Sequence, residues 1–317
     1  MILIIGHKGQ DGSILREQLR RDGHAVCGLG RDGLEEPDGA VRAGVSLDDH
    51  ESLHDAVARL QPREVYYLAA HHHSAQSLAD DGSLLDQSIA TNVSGLAAML
   101  EAIRRQAPHA RLFYAASSHI FGDPPSSPQT EDTPFAPLSP YAVSKVAGIE
   151  LCRFFRRAYG TFAACGYLYN HESPRRRPEF FSRKTAMAAA AIANGSREKL
   201  VLGSLDAVVD LGYAPEYTEA MQQILRLPAA GDFIIASGRA ITLETFVAAA
   251  FSHIGRDWRE HVMLDRNLVR RAAPSHPYVG DARRLAFAAG WRTHTSAEEL
   301  AAIMVDAERR IRPAIAG

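Results

Sequence analysis

Directly after the apolar run Ile2-Leu3-Ile4-Ile5, the chain reads Gly6-His7-Lys8-Gly9-Gln10-Asp11-Gly12-Ser13, with glycines three and three residues apart. A helical pattern at 14–21 follows at once. This junction constrains the fold more than any other feature. A buried strand, a tight glycine turn and a helix N-terminus together present unpaired backbone N–H groups and the positive end of a helix dipole to a pyrophosphate. A helix that starts where an apolar strand ends lies back along that strand, and repeating the unit gives a parallel sheet with helices on both faces.

The pattern repeats through the first half. Apolar runs at 25–29 and 65–70 read as strands, with a helical pattern at 53–60 between them. Ile89, Val93, Leu96, Leu100 and Ile103 fall at spacings of four, three, four and three, one face of a helix. Residues 112–115 read as a strand, 141–159 as a long helix closed by Gly160, and 162–169 as a further strand. Past about residue 170 the pattern loosens around Pro174, with a helical stretch at 185–193 and a late strand, Phe233-Ile234-Ile235-Ala236. Ser296 and Glu299 form a capping box ahead of Leu300, Ile303 and Met304. Met99, Met187 and Met304 are assigned to core packing. The expected fold class is α/β, a doubly wound parallel sheet with a smaller, discontinuous C-terminal substrate domain.

Composition removes whole classes of partner. The 317 residues carry 35 Lys plus Arg against 37 Asp plus Glu, a net charge of −2, which leaves no broad basic footprint for nucleic acid. No apolar run approaches the ~18 residues of a membrane span, so no membrane partner is expected. Cys27, Cys152 and Cys165 are odd in number and far apart, neither a disulfide framework nor a CxxC site, and suggest a reducing cytoplasm. His71-His72-His73 would alternate faces on an extended chain, so no metal site is expected there.

Three further patterns carry chemistry. The second strand ends Gly28-Leu29-Gly30-Arg31, a cation where an NAD site usually has a carboxylate, which favours NADP over NAD, although Asp32 is next to it. Tyr141 and Lys145 are four apart on one helix face, where an ammonium favours the phenolate needed for proton exchange with a hydroxyl or carbonyl. They follow a strand ending Ala115-Ala116-Ser117-Ser118-His119. Arg175-Arg176-Arg177, with Arg183 and Lys184, is either a solvated charge run or a set of phosphate contacts, and phosphate contact is favoured for Arg176.

Taken together, these residues resemble the extended short-chain dehydrogenase/reductases, and most closely the GDP-mannose 4,6-dehydratase family. The resemblance rests on GHKGQDGS at 6–13, YYLAA at 66–70, NVSG at 92–95, SPYAVSK at 139–145, YNHESPRR at 169–176, FFSRK at 180–184, LGYAPEY at 211–217 and GDARRLAFAAGW at 280–291. It implies a Rossmann-type NADP-binding domain at 1–168 with a returning segment at about 205–240, and a nucleotide-sugar domain from 169–204 and 241–317. It implies oxidation of the sugar at C4, loss of the C5 proton, elimination of water across C5–C6 and return of hydride to C6.

By the same resemblance Tyr141 is the C4 base, Lys145 holds the nicotinamide ribose and Ser117 fills the family's Thr/Ser position. Gly6, Gly9, Gln10, Asp11, Gly12, Arg31, Leu68, Ala69, Ala70, His73, His171 and Arg176 fall on the cofactor side. Ser118, Asn170, Arg183, Lys184 and Arg271 fall on the substrate side.

The departures are specific. His119 stands where the family has its catalytic Glu; a neutral imidazole, which titrates near ~6.5 in free histidine, serves as a general base. Val209 replaces an Arg expected on the substrate pyrophosphate, and Arg271-Ala272-Ala273-Pro274 keeps only the first residue of the family's Arg-Pro-x-Glu. Family members form dimers or tetramers in which a loop after the second strand reaches a neighbour's cofactor. Here that loop, 31–36, is acidic, and a homo-oligomer of unassigned order is expected. Within enzymes the alternative is a 4-keto reductase or C4 epimerase. From another class it is a non-catalytic NADP-binding protein, against which the retained Ser117, Tyr141 and Lys145 argue.

Overall fold

The computed structural model describes residues 1–70, 82–269 and 274–311. Every side chain of β1 (Ile2–Ile5) is buried, as an apolar run without alternation requires of an inner parallel strand. After α1 (Gln10–Arg21), strand β2 (Val26–Gly30) pairs parallel with β1, placing Ile2 opposite Val26. Two short strands follow, β3 (Gly33–Glu35) and β4 (Val41–Arg42), then α2 (His50–Leu60) and β5 (Glu64–Tyr67), which flanks β1 on its other side. Next come α3 (Gly82–Ile89), α4 (Gly95–Gln106), β6 (Arg111–Ala115), α5 (Pro140–Tyr159) and β7 (Phe162–Leu168).

The rest of the chain alternates shorter pieces. These are β8 (Asn170–Glu172), α6 (Phe181–Ala193), β9 (Leu200–Leu202), β10 (Val208–Tyr213), α7 (Ala214–Arg226), β11 (Asp232–Ile235), β12 (Ala240–Thr242), α8 (Leu243–His253), β13 (Val262–Leu264), α9 (Arg283–Ala289) and α10 (Ala297–Ile311). The main sheet has eight strands in the order β11-β7-β6-β5-β1-β2-β3-β4, parallel from β11 to β2. The late strand read at 233–236 is thus an edge strand returned to the sheet beside β7. Leu53, Val57, Leu96, Leu100 and Ile149 fill one face. Leu15, Leu19, Tyr217, Met221, Ile224 and Leu285 fill the other. A third apolar cluster joins α6, α8 and α10 through Ala186, Phe246, Phe251, Met304 and Val305. Met99 and Met304 are wholly buried.

Two expectations are corrected. Segment 31–36, read as an acidic loop after the second strand, folds back as a hairpin: Arg31-Asp32 is a two-residue turn, Gly33 sits at φ +118°, and β3 pairs antiparallel with β2. Its acidity is spent locally, with Glu35 on Arg16 at 2.6 Å and Glu36 on Arg59 at 2.8 Å. The helix expected across 89–103 is not one regular helix. A wide turn at Ala90–Ser94 separates α3 from α4 and carries Asn92 into the interior, where its amide donates to Ser144 Oγ at 3.0 Å.

The helix ends obey local chemistry. Ser139 caps α5 by accepting from Ala142 N, Pro140 opens the helix, and Gly160 at φ +67° closes it. Ahead of α10, Ser296 N donates to Glu299 Oε2 at 2.8 Å and Glu299 N to Ser296 Oγ at 3.2 Å, the reciprocal capping box. Among the described residues no helix is long and apolar enough to cross a membrane.

Candidate functional site

The glycine turn is closed on the inside and open outwards. Gly6 sits at φ +86°, and a Cβ there would lie 2.8 Å from Ala69 N. A Cβ on Gly12 would lie 2.3 Å from Gly6 O, so only glycine lets α1 seat this closely on the turn. Gly9 precedes the helix as its cap residue. Leu68 N donates to Ile5 O at 2.9 Å, which brings Leu68, Ala69 and Ala70 alongside as a wall.

Gln10 and Asp11 tie this turn to β8. Gln10 Nε2 donates to His171 O at 3.1 Å and its Oε1 accepts from Ser173 Oγ at 3.0 Å. Asp11 Oδ2 lies 3.0 Å from His171 Nε2, and His171 Nδ1 lies 2.6 Å from Tyr169 O. A carbonyl only accepts, so Nδ1 carries a proton. Burial pushes the His171 pKa down, but the Asp11 charge and hydrogen bond outweigh it and hold the pKa above its usual value. Burial likewise raises the Asp11 carboxyl, and His171 more than reverses that. Both directions follow from the attraction between the two groups, and the His171 ring stacks on Tyr217 at 4.6 Å. Arg176 pairs with Glu172 at 3.2 Å and lies over the Phe180 ring at 3.8 Å.

On the β2 side lie residues that sequence reasoning missed. His7 is wholly buried and fills the space that side chains at Gly28 and Gly30 would take, with their Cβ atoms 2.3 and 3.1 Å from its ring. Its Nε2 lies 3.1 Å from Glu35 Oε2. Lys8 reaches across to Asp32 at 2.5 Å, beside the exposed Arg31. The available signal was a pair of glycines inside a strand, which marks a close approach.

The catalytic candidates converge at the end of β6. Ser117 caps a short turn at Ser118–Phe121, accepting from His119 N at 3.3 Å, and also hydrogen-bonds the Tyr141 side chain. The His119 ring stands edge-to-face to Tyr141, centroids 6.1 Å apart at 88°. Lys145, one turn further along α5, donates to Ala115 O at 2.7 Å and lies 4.8 Å over Tyr114 and 5.7 Å over Tyr141. Burial pushes the Tyr141 phenol up to about 12, against the lowering effect of Ser117 and Arg176. Burial pulls Lys145 down to about 7. At neutral pH Tyr141 is therefore a hydroxyl, and it needs a cation or a proton relay to act as a base.

The substrate-side candidates divide. Asn170 opens β8, half-buried. Ser118 is buried inside its turn. Arg183 is committed elsewhere: its guanidinium pairs with the buried Glu308 of α10 and donates to Pro174 O and, at 3.1 Å, to Arg176 O, so it clamps the 174–177 loop. Lys184 donates to Val201 O at 2.8 Å. His73 and Arg271 lie outside the described residues, as do His71 and His72. Among the described residues no group of three His, Cys, Asp or Glu could hold a metal ion. Sequence reasoning also missed Tyr278, whose ring stacks on His119 at 6.0 Å and 24°. It missed Gly122 too, at φ +61°, where a Cβ would meet Ala136 O at 1.6 Å.

The family model and the curated relatives agree. The family model for GDP-mannose 4,6 dehydratase matches residues 3–304. GDP-mannose 4,6 dehydratase 2 of Arabidopsis thaliana is 36% identical over 96% of this chain and 85% of its own length. GDP-mannose 4,6-dehydratase of Sinorhizobium fredii (strain HH103) is 34% identical over 96% and 95%. In fold, RMD from Pseudomonas aeruginosa complexed with NADPH superposes with a TM-score of 0.83 at 20% identity, covering 98% of this chain and 99% of that one. The dTDP-glucose 4,6-dehydratase of Bacillus anthracis in complex with NAD gives 0.80 at 17% identity, covering 98% and 96%. With the glycine turn, the Ser117–Tyr141–Lys145 cluster and a family match over almost its whole length, the chain belongs to the GDP-mannose 4,6-dehydratase family.

Proposed function

We propose that this protein is an NADP-dependent dehydratase of GDP-mannose, with His119 as the base of the elimination. The observation that carries the reading is the convergence of Ser117, His119 and Tyr141 at one point at the end of β6, above Lys145. The cofactor fits the turn: side chains at Gly6 and Gly12 would collide with Ala69 N and Gly6 O, so only glycines let the strand, the turn and the N-terminus of α1 close up into a phosphate-binding turn. Near the end of β2, Asp32 is held by Lys8 and Glu35 by Arg16 and His7, so the carboxylates that would repel a 2′-phosphate are already paired beside Arg31. When bound, the nicotinamide supplies the acceptor and donor of hydride for C4 and C6.

The protein's own residues handle protons and position. Tyr141 passes its own proton to solvent through the Ser117 hydroxyl and, as the phenolate favoured by Ser117 and Arg176, takes the proton of the C4 hydroxyl, with Lys145 5.7 Å from its ring. The resulting 4-ketone acidifies C5–H. His119 takes that proton, the electron pair forms the C5–C6 double bond, and the imidazolium hands the proton to the C6 hydroxyl, which leaves as water. A solvent proton then returns to C5 as hydride reaches C6. General acid–base catalysis of this kind is worth about 10²–10⁴-fold.

The test is mass spectrometry of GDP-mannose after incubation with the protein and NADP in deuterated water. Loss of one water and gain of one deuterium is the expected result. An unchanged sugar rejects the dehydratase, and NADPH oxidation by a supplied 4-keto sugar would then assign the protein to the reductases. Tyr141→Phe is expected to lower turnover by about 10²–10⁴-fold while NADPH affinity stays within a factor of about three, the loss being one proton-transfer group. Full activity in that variant would remove Tyr141 from the mechanism. The three free, buried cysteines suit the cytoplasm, and the exposed apolar residues of α5 suit a homo-oligomer.

A further inference from the structure

We propose that Tyr278 is the positioning residue that aims His119 at the carbon acid, a role that rests on His119 being the elimination base. The need arises from the chemistry of the base. A carboxylate has two oxygens and about four lone-pair directions, so a carboxylate base tolerates rotation, whereas a neutral imidazole offers one lone pair, confined to its ring plane. Deprotonating carbon leaves little room for error, since a displacement of about 1 Å costs up to ~10²-fold in rate. An imidazole on a four-residue turn, half-buried among Ser118, Ile120 and Phe121, therefore needs something to fix its plane.

Two tyrosines flank that plane. Tyr141 presents its ring edge-to-face at 6.1 Å, and Tyr278 lies nearly parallel to His119, 24° between planes and 6.0 Å between centroids. Tyr141 is occupied with proton transfer at C4, while Tyr278 is tethered at both its hydroxyl and its backbone. Its hydroxyl donates to Gly122 O, the residue that ends the His119 turn. Its carbonyl accepts from Asp210 N at 3.1 Å, and it bridges Val209 of β10. The strap around it, 275–281, is stitched to the loop after the His119 turn. Ser275 N and Oγ donate to Asp123 at 2.6 and 2.9 Å, Gln129 Nε2 donates to Pro277 O at 3.0 Å, and Gln129 N donates to Val279 O at 2.8 Å. Gln129 is wholly buried and its Oε1 accepts from Tyr169 OH at 2.9 Å. Tyr278 thus belongs to a hydrogen-bonded seam, and its ring stands beside the imidazole as a backstop that limits how far it can turn.

The experiment follows four proteins in GDP-mannose, NADP and deuterated water: wild type, His119→Ala, Tyr278→Leu and Tyr278→Phe. Single-turnover absorbance of NADPH reads hydride transfer from C4, deuterium gain reads C5 exchange, and NADPH titration with thermal melting checks folding. The expected result is that Tyr278→Leu slows C5 exchange at least about tenfold, through kcat, while C4 oxidation, KM and NADPH affinity stay within about threefold. Tyr278→Phe, which keeps the ring and loses only the hydroxyl, recovers most of the lost rate. Wild-type exchange in Tyr278→Leu, with none in His119→Ala, overturns the role of Tyr278 alone. Wild-type exchange in His119→Ala overturns the base itself and the positioning role with it. Equal loss of oxidation and exchange in Tyr278→Leu also overturns the proposal, because a general distortion would do that.

Discussion

Lys145 is held inside the protein at a cost in stability. Burial draws its pKa down to about 7, from 10.5 in the unfolded chain. Between those values the unfolded state binds the proton more tightly, so this group's contribution rises with pH across the interval and its full penalty is present below pH 7. Each pKa unit corresponds to about 1.4 kcal/mol, so the penalty is on the order of a few kcal/mol. Lys145→Met, similar in length but uncharged, should melt higher than wild type at pH 6.5, with the gap closing as pH rises towards 10, while losing activity. Calorimetry across that range checks it, and an unchanged melting temperature at pH 6.5 would count against the buried charge. At Gly6 the penalty is steric instead: Gly6→Ala meets both a positive φ and Ala69 N at 2.8 Å. NADPH affinity should fall at least about tenfold, measured by fluorescence titration, because the turn must open to admit the methyl.

At the scale of elements, legibility follows signal length. β1, the glycine turn and α5 were readable because each carries several agreeing local signals, such as Ser139, Pro140 and Gly160 around α5. The β3–β4 edge and the three-residue strands β8, β9, β12 and β13 were not, since a period cannot be counted over so few residues. The wide turn at Ala90–Ser94 was invisible because it keeps apolar residues near helical spacing while rotating Asn92 inwards. Within the site, Tyr141 and Lys145 were legible from spacing and Ser117 from the family resemblance, whereas Tyr278 finds its partner Gly122 across 156 residues, a distance that no local pattern encodes. Arg183 was read for its charge, and only the fold reveals Glu308 against it. That buried pair yields its own test. Arg183→Ala leaves Glu308 without its counter-charge and should destabilise by about 3–5 kcal/mol, read as a shift of the denaturation midpoint at unchanged slope. A shift under 1 kcal/mol would return Arg183 to the substrate-side candidates.

For the molecule as a whole, the outward face of α5 stands out. Val143 and Phe154, three helical turns apart, are 45% and 47% exposed, and Tyr159 and Leu85 of α3 lie exposed on the same packed helix pair. Phe154→Glu should convert an oligomer into monomers in size-exclusion light scattering with little loss of NADPH affinity, and an unchanged mass would move the interface elsewhere. The seam that joins 275–281 to 122–129 has a consequence for biosynthesis. Once residues 1–240 have emerged from the ribosome, the glycine turn, β11 and the Tyr141 helix are free, enough to close the sheet. The piece that squares His119 has not yet emerged. Such a nascent chain would be competent to hold a dinucleotide before it is competent to pull a proton from carbon, so translation itself delays the chemistry until the reacting carbon has a finished enclosure.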